Sequence, residues 1–343
     1  MTSEQPTFLS RVKSSCLFFV LLTFFFIVGL VFVTATLSQM GGEQSGVIER
    51  SEGNVDPQSS AIASISLSGV MLRDSEGVDQ GITSDLLLML RKARKDEKIK
   101  GVLLRLNTPG GSVTDADLVY HELKKLNKAG KPVLLLMDDT CASGGYYAAL
   151  AAQEVWALPT TITGSIGVIV SSLNFSKLLS NYGVVDQSVT SGPNKALFSP
   201  TSAPNPAHRA IMQRIVNQLY QRFLKLLIEG RKIEEDVAHT IADGRVFTAT
   251  EALKYQLIDQ IGYPDDALRR IRKLSGLSAQ SRVVKYDVPR NFFSRFSSQL
   301  GVTWSTWRSG RELSELALRG PRAYYLYAPD GALWRALQLV HLK

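Results

Sequence analysis

Ser143 is followed by two glycines, and the trio closes an apolar run, PVLLLMDDT (132–140), and opens an alanine-rich stretch, YYAALAA (146–152). A hydroxyl at the start of a helix, with Gly144 and Gly145 behind it, lets the Gly144 amide point the same way. That pairs a nucleophile with a donor for an oxyanion. A second exit has the same character. The run GVLLRL (101–106) ends in NTPGGS (107–112), where Pro109, Gly110 and Gly111 clear side chains from the backbone and leave the glycine amides to face a ligand. A lone glycine pair ordinarily serves a tight turn. Two such exits, one carrying a serine, favour a site.

A nucleophilic serine needs a base. The histidines are His121, His208, His239 and His341, and none lies between Ser143 and His208. His121 sits in a charged amphipathic pattern, where a solvated face is the default. A Ser-His-Asp triad is thus poorly supported, although spacing along a chain does not exclude it. The alternative is a lysine in apolar company, because burial disfavours the charged amine. Lys195, in SGPNKALFSPTSAP (191–204), has Ala196, Leu197 and Phe198 after it and no counter-charge. Most single lysines are surface residues, so from the residues alone both bases stay open.

Both exits require strands to position them. An apolar strand over 62–71 leads to a helical pattern over 86–98, a strand over 101–106, a helix over 117–130 and a strand over 132–138. Past Pro204 comes a long amphipathic pattern, AIMQRIVNQLYQRFLKLLIEG, then two shorter ones ending near Gly276. Strands separated by helices imply βαβ units, hence an α/β fold with a mostly parallel sheet and flanking helices. Open sheets of this class place ligands outside the carboxyl ends of their strands, where both exits lie.

The 343-residue chain is 45% hydrophobic and 20% charged, the composition of a globular protein. From Ser14 to Gly42 it carries no charged residue. Residues 16–37 would reach about 33 Å as a helix, enough to cross a bilayer. The apolar core of a secretory signal peptide runs only about 7 to 15 residues, so this segment reads as an uncleaved anchor. Arg11 and Lys13 precede it while Glu43, Glu49 and Glu52 follow, which puts residues 1–15 in the cytoplasm and the remainder outside. Residues 38–60 are polar and rich in glycine and serine, the pattern of a flexible stalk. Cys16 and Cys141 lie too far apart in topology to suggest a disulfide.

The formal charge of +8 is concentrated in residues 281–343, with ten Lys or Arg against four acids. Phe292, Phe293, Phe296, Trp304, Trp307 and Trp334 interleave with them. On an exported, tethered domain this pattern points to a lipid surface and not to nucleic acid, or else to an ordinary packing element.

Five ordered motifs, NTPGGS, ASGGYY (142–147), TGSIGV (163–168), SGPNK (191–195) with Ser199 and Pro200 following, and ADGRVFTATEALKYQLIDQIG (242–262), resemble the signal peptide peptidase A family, peptidase family S49. These are membrane-anchored serine proteases with a ClpP/crotonase-like fold. The likeness covers about residues 60–275, is to the half-length members, and implies a peptidase domain over 61–280. It implies that Ser143 is the nucleophile, Lys195 the general base, Ser165 the residue that orients the lysine, and the amides of Gly110 and Gly144 the oxyanion hole. An acidic residue often follows the family's lysine, whereas here it is Ala196. The resemblance further implies no metal or other cofactor, hydrophobic peptide substrates such as remnant signal peptides, and location in the bacterial inner membrane with the catalytic domain on the extracytoplasmic side. Double-length members carry lysine and serine in different halves, so a homo-oligomeric ring with the dyad shared between subunits is expected. Two rival readings are an acyl-CoA enzyme of the same fold class, which an exported domain would not supply with CoA, and a silent scaffold, which would lack the serine or the lysine.

Overall fold

The computed structural model describes residues 47–52, 56, 58–73, 82–288 and 323–326. The anchor expected at 16–37 and nearly all of the tail beyond Val288 lie outside the described residues. Among the described residues no helix is long and apolar enough to cross a membrane. The first half of the chain gives β1 (Ile48–Glu52), β2 (Ala61–Ser68), α1 (Thr83–Lys95), β3 (Ile99–Thr108), β4 (Gly110–Ser112), α2 (Val113–Lys128), β5 (Val133–Ala142) and α3 (Gly144–Ala149). Then come β6 (Glu154–Ala157), β7 (Ile162–Gly164), β8 (Ile169–Val170), α4 (Ser176–Asn181), α5 (Pro206–Arg231) and α6 (Glu235–Ile241). The described chain ends with β9 (Val246–Thr248), α7 (Ala249–Lys254), β10 (Gln260–Ile261), α8 (Pro264–Leu274), β11 (Arg282–Asp287) and β12 (Ala323–Leu326).

The main sheet follows the path β1-β11-β2-β3-β5-β6-β10, parallel along it except at β1, and β7 adds to β5 in parallel and carries β9 antiparallel. Its central strands are apolar on both faces because both faces are covered. Along β3, Val102, Leu104 and Leu106 enter the larger core while Leu103 enters the smaller one. Along β5, Leu135 and Met137 face the larger core and Leu134 and Leu136 the smaller. This is the two-residue period of a strand. The smaller core is closed by Ala267 and Ile271 of α8.

Caps explain where the helices begin. Ser112 caps α2 by accepting from the Asp115 amide, so α2 starts at Val113, four residues before the pattern over 117–130 suggested. Asn205 caps α5 and Pro206 takes its first turn, which matches the amphipathic run after Pro204.

Two boundaries move relative to the sequence reading. Strand β1 lies inside the stretch expected to be a flexible stalk, and it pairs antiparallel with β11. Strand β11 in turn lies inside the stretch assigned to the tail, yet it pairs parallel with β2 in the main sheet. Val283, Val284 and Tyr286 are buried, so this short run earns its place through core packing that no local charge count reveals.

One buried ionic cluster ties α1 to α2. Glu122 is nearly inaccessible, and it accepts from Arg94 Nε at 2.7 Å with Lys125 and Arg91 at 3.5 and 3.8 Å. Burial pushes the Glu122 carboxyl up, but the Arg94 hydrogen bond and the charges of Lys125, Arg94 and Arg91 outweigh it and hold it below the ordinary value. A carboxyl lowered by folding stabilises the protein above its unfolded pKa, and that contribution is lost as pH falls through the folded pKa. Glu122→Gln is therefore predicted to cost about 1–3 kcal/mol at neutral pH and to narrow its deficit as the medium is acidified below the ordinary carboxylate range. Urea denaturation across that range checks this; a deficit independent of pH would refute it.

Candidate active site

The two glycine exits stand side by side. Strand β3 pairs with β5 in regular register up to Leu106 opposite Met137, and then slips so that Thr108 lies opposite Cys141. The slip coincides with a change of partner on the far side of β5. Residues 134–137 pair with β6, whereas Thr140, Cys141 and Ala142 pair with β7. Such an irregularity re-aims a strand end, and Ser143 stands immediately past this one.

Ser143 sits at φ 52° and ψ −111°, between the end of β5 and the first residue of α3. Positive φ is uncommon for a residue with a Cβ and costs on the order of 1–3 kcal/mol. Two backbone bonds hold it there: its amide donates to the Gly164 carbonyl at 2.8 Å, and its carbonyl accepts from the Tyr147 amide at 2.8 Å. Its Oγ is buried and has no hydrogen-bond partner among the described residues, in a residue only 1% exposed. Leaving a buried hydroxyl unpaired costs about 1–3 kcal/mol. A strained backbone and an unpaired hydroxyl at one residue mark a place where the fold gives up stability.

Gly144, as the first residue of α3, has no intrahelical acceptor for its amide. Gly145 is required for a different reason. A Cβ there would lie 2.5 Å from Thr108 Cγ2 and 3.1 Å from Cys141 Sγ, so the helix can approach the β3 exit only without a side chain. Gly145→Ala is predicted to lose about 1–3 kcal/mol through this overpacking, with peptidase activity falling because Ser143 is displaced with the helix. An unfolding midpoint and activity equal to wild type would contradict this.

Gly110 has φ 103°, and its carbonyl accepts from the Met71 amide at 2.7 Å. Its amide is engaged: it donates to Thr108 Oγ1 at 3.1 Å. Thr108 is thus a site residue that the sequence reading missed, and its place just before Pro109 was the one available clue. Gly110–Ser112 also form β4, which pairs antiparallel with β12, and β12 pairs antiparallel with β8 on its other side. The edge beside Gly110 therefore accepts an extended backbone.

Ser165 follows Gly164, the residue whose carbonyl holds the Ser143 amide, and is itself nearly buried at φ 51°. Its amide donates to the Arg245 carbonyl at 2.7 Å, which anchors it to the strand pair β7–β9. Gly110, Ser143, Gly144 and Ser165 are thus brought together at the carboxyl ends of β3, β5 and β7.

Lys195 makes no hydrogen bond to any of them among the described residues. It lies exposed in the turns between α4 and α5, its amide donates to Gly192 at 3.1 Å, and its amine makes no hydrogen bond or ion pair among the described residues. No histidine among the described residues bonds the Ser143 hydroxyl either. His208 is 2.8 Å from the Pro193 carbonyl and His239 is 3.8 Å from Glu235, while His341 lies outside the described residues. Behind Ser143, Tyr147 of α3 donates to Asp117 at 2.6 Å, and Arg222 of α5 bonds both. Nothing in the sequence announced this brace between three helices. Burial pushes the Cys141 thiol far up, so it stays protonated two residues from Ser143.

Residues 125–278 match the family described as peptidase family S49. The chain is 34% identical over 251 residues to an Enterococcus faecium protein named as a signal peptide peptidase SppA, covering 72% of each. It is 37% identical over 188 residues to protease 4 of Salmonella typhi, 55% of this chain and 30% of that one. Among solved structures, a ClpP1 mutant from Listeria monocytogenes aligns with 60% of this chain and 93% of its own, at 15% identity and a TM-score of 0.40.

Proposed function

This chain belongs to peptidase family S49 and is a serine peptidase, and from that premise we propose that it is a membrane-anchored endopeptidase with a Ser-Lys dyad, degrading cleaved signal peptides and other hydrophobic peptides at the membrane surface. The observation that carries this reading is the Ser143 hydroxyl, buried and unpartnered on a strained turn at the end of β5. In the proposed reaction Lys195, as the free amine, takes the Ser143 proton while Oγ attacks the scissile carbonyl. The amide of Gly144 and that of Gly110, which exchanges the Thr108 hydroxyl for the oxyanion, stabilise the tetrahedral intermediate. One such donor contributes roughly 3–4 kcal/mol. The proton then passes to the leaving amine, and water releases the acyl group. Ser165 orients the lysine amine. An extended substrate would use the backbone groups of β4 and β8 that β12 uses.

The dyad is completed between subunits of a homo-oligomeric ring. Two observations favour this: the Ser143 hydroxyl has no hydrogen-bond partner among the described residues, and Lys195 stands in an exposed segment. Along the chain before it, Leu178, Tyr182, Val184, Val185 and Val189 are exposed, apolar surface of the kind a subunit contact covers. In this reading the apolar run over 16–37 serves as the anchor, and the positive residues before it support a catalytic domain outside the cytoplasmic membrane.

The purified full-length protein in detergent is expected to cleave casein and apolar peptides. Protease added to spheroplasts is expected to reach the catalytic domain while sparing a tag on Met1. Protection of that domain inside the cell would overturn the orientation and the substrate assignment together.

A further inference from the structure

The segment bearing Lys195 is clasped at both ends by one carboxylate. Asp186 Oδ1 accepts from the Ser188 amide at 2.9 Å, while its Oδ2 accepts from the hydroxyls of Thr201 and Ser202 at 2.7 and 2.8 Å. Ser199 reinforces the far end, with Oγ 2.9 Å from Thr201 Oγ1 and accepting from the Thr201 and Ser202 amides at 3.3 Å each. The clasp is tied to the start of α4, since Asn174 Nδ2 donates to the Ser202 carbonyl at 2.8 Å and the Phe175 amide to Pro200 at 2.7 Å. Between the ends, the backbone bonds are mostly short-range, Lys195 to Gly192, Ser199 to Ala196 and the Thr190 hydroxyl to the Gly192 carbonyl, with longer contacts from His208 to Pro193 and Asn174 to Ser199. Hydrogen bonds from Ser188, then Thr201 and Ser202, hold the Asp186 carboxyl well below the usual carboxylate range, so it accepts as a carboxylate at neutral pH.

An exposed lysine on an unclasped loop would spread its amine over many positions, and misplacing a reacting group by about 1 Å can cost on the order of 100-fold in rate. We propose that Asp186 is the positioning residue for Lys195, joining Ser188 to Thr201 and Ser202 so that the intervening loop presents the amine in one place. This rests on Lys195 being the base. Asp186 touches neither substrate nor the reacting atoms; it acts through the loop.

The test uses the full-length protein in detergent with three variants, Asp186→Ala, Asp186→Asn and Lys195→Ala. Asp186→Ala is expected to lower kcat by about 10- to 100-fold with KM held within about twofold, an unchanged unfolding midpoint, and faster amide exchange over residues 188–201. In Asp186→Asn, Oδ1 still accepts from Ser188 and the amide nitrogen can donate to the Thr201 and Ser202 hydroxyls, so kcat should stay within about threefold of wild type. Should the alanine variant not fold, the Thr201→Val, Ser202→Ala double variant removes only the far-end donors and carries the same expectation. Wild-type kcat in Asp186→Ala, or an asparagine variant as impaired as the alanine one, overturns the clasp. An active Lys195→Ala instead overturns the base assignment, and an inactive Lys195→Ala beside a fully active Asp186→Ala leaves that assignment standing while removing the clasp.

Discussion

Ser143→Ala is expected to reduce peptide hydrolysis by on the order of 10⁴-fold or more without destabilising the protein. Its hydroxyl makes no hydrogen bond, so removing it deletes a buried unpaired group and no interaction that supports the fold. The expected change in stability is therefore between zero and a gain of about 1 kcal/mol, against which the residual strain of an alanine at positive φ is unchanged. Casein hydrolysis and urea denaturation on the same preparation separate the two effects. A variant that lost activity together with several kcal/mol of stability would show that Ser143 serves the fold, and one that kept activity would remove it from the chemistry.

Mixed rings provide the second large effect. Ser143→Ala and Lys195→Ala are each expected to be inactive alone. Co-assembled in equal amounts they should regain about a quarter of wild-type activity, because a random ring sets an intact serine beside an intact lysine at about one interface in four. The expectation follows from the Ser143 hydroxyl having no hydrogen-bond partner, and the exposed Lys195 amine no bond, among the described residues. If both members of the dyad came from one chain, every site in the mixture would lack one partner. No recovery, in rings shown by mass spectrometry to contain both variants, would falsify the shared site.

Stability and activity are coupled elsewhere in ways that these experiments also probe. The close approach of Gly145 to Thr108 places α3 against the β3 exit, and the Tyr147–Asp117–Arg222 brace joins that helix to α2 and α5. The serine is thus supported by packing from the sheet side and by charge from the helix side. Its strained φ persists because both supports over-determine it.

The sequence by itself determined the features that depend on near neighbours. The apolar runs of β3 and β5, the amphipathic period of α5 and the glycines at both exits are local, and local sterics and period are enough to recognise them. The ordered motifs likewise pointed to the family, and so to Ser143 and Ser165. Only the tertiary structure decided what depends on pairing between distant segments. The slipped register that sets Thr108 opposite Cys141, the bond from Ser143 to Gly164 that brings Ser165 alongside, and the placing of β1 and β11 in the main sheet are all of this kind. A sequence states which residue types are present, but a strand's partner is chosen by the burial of whole faces and by backbone hydrogen bonds that every residue can make, and neither leaves a mark at a single position.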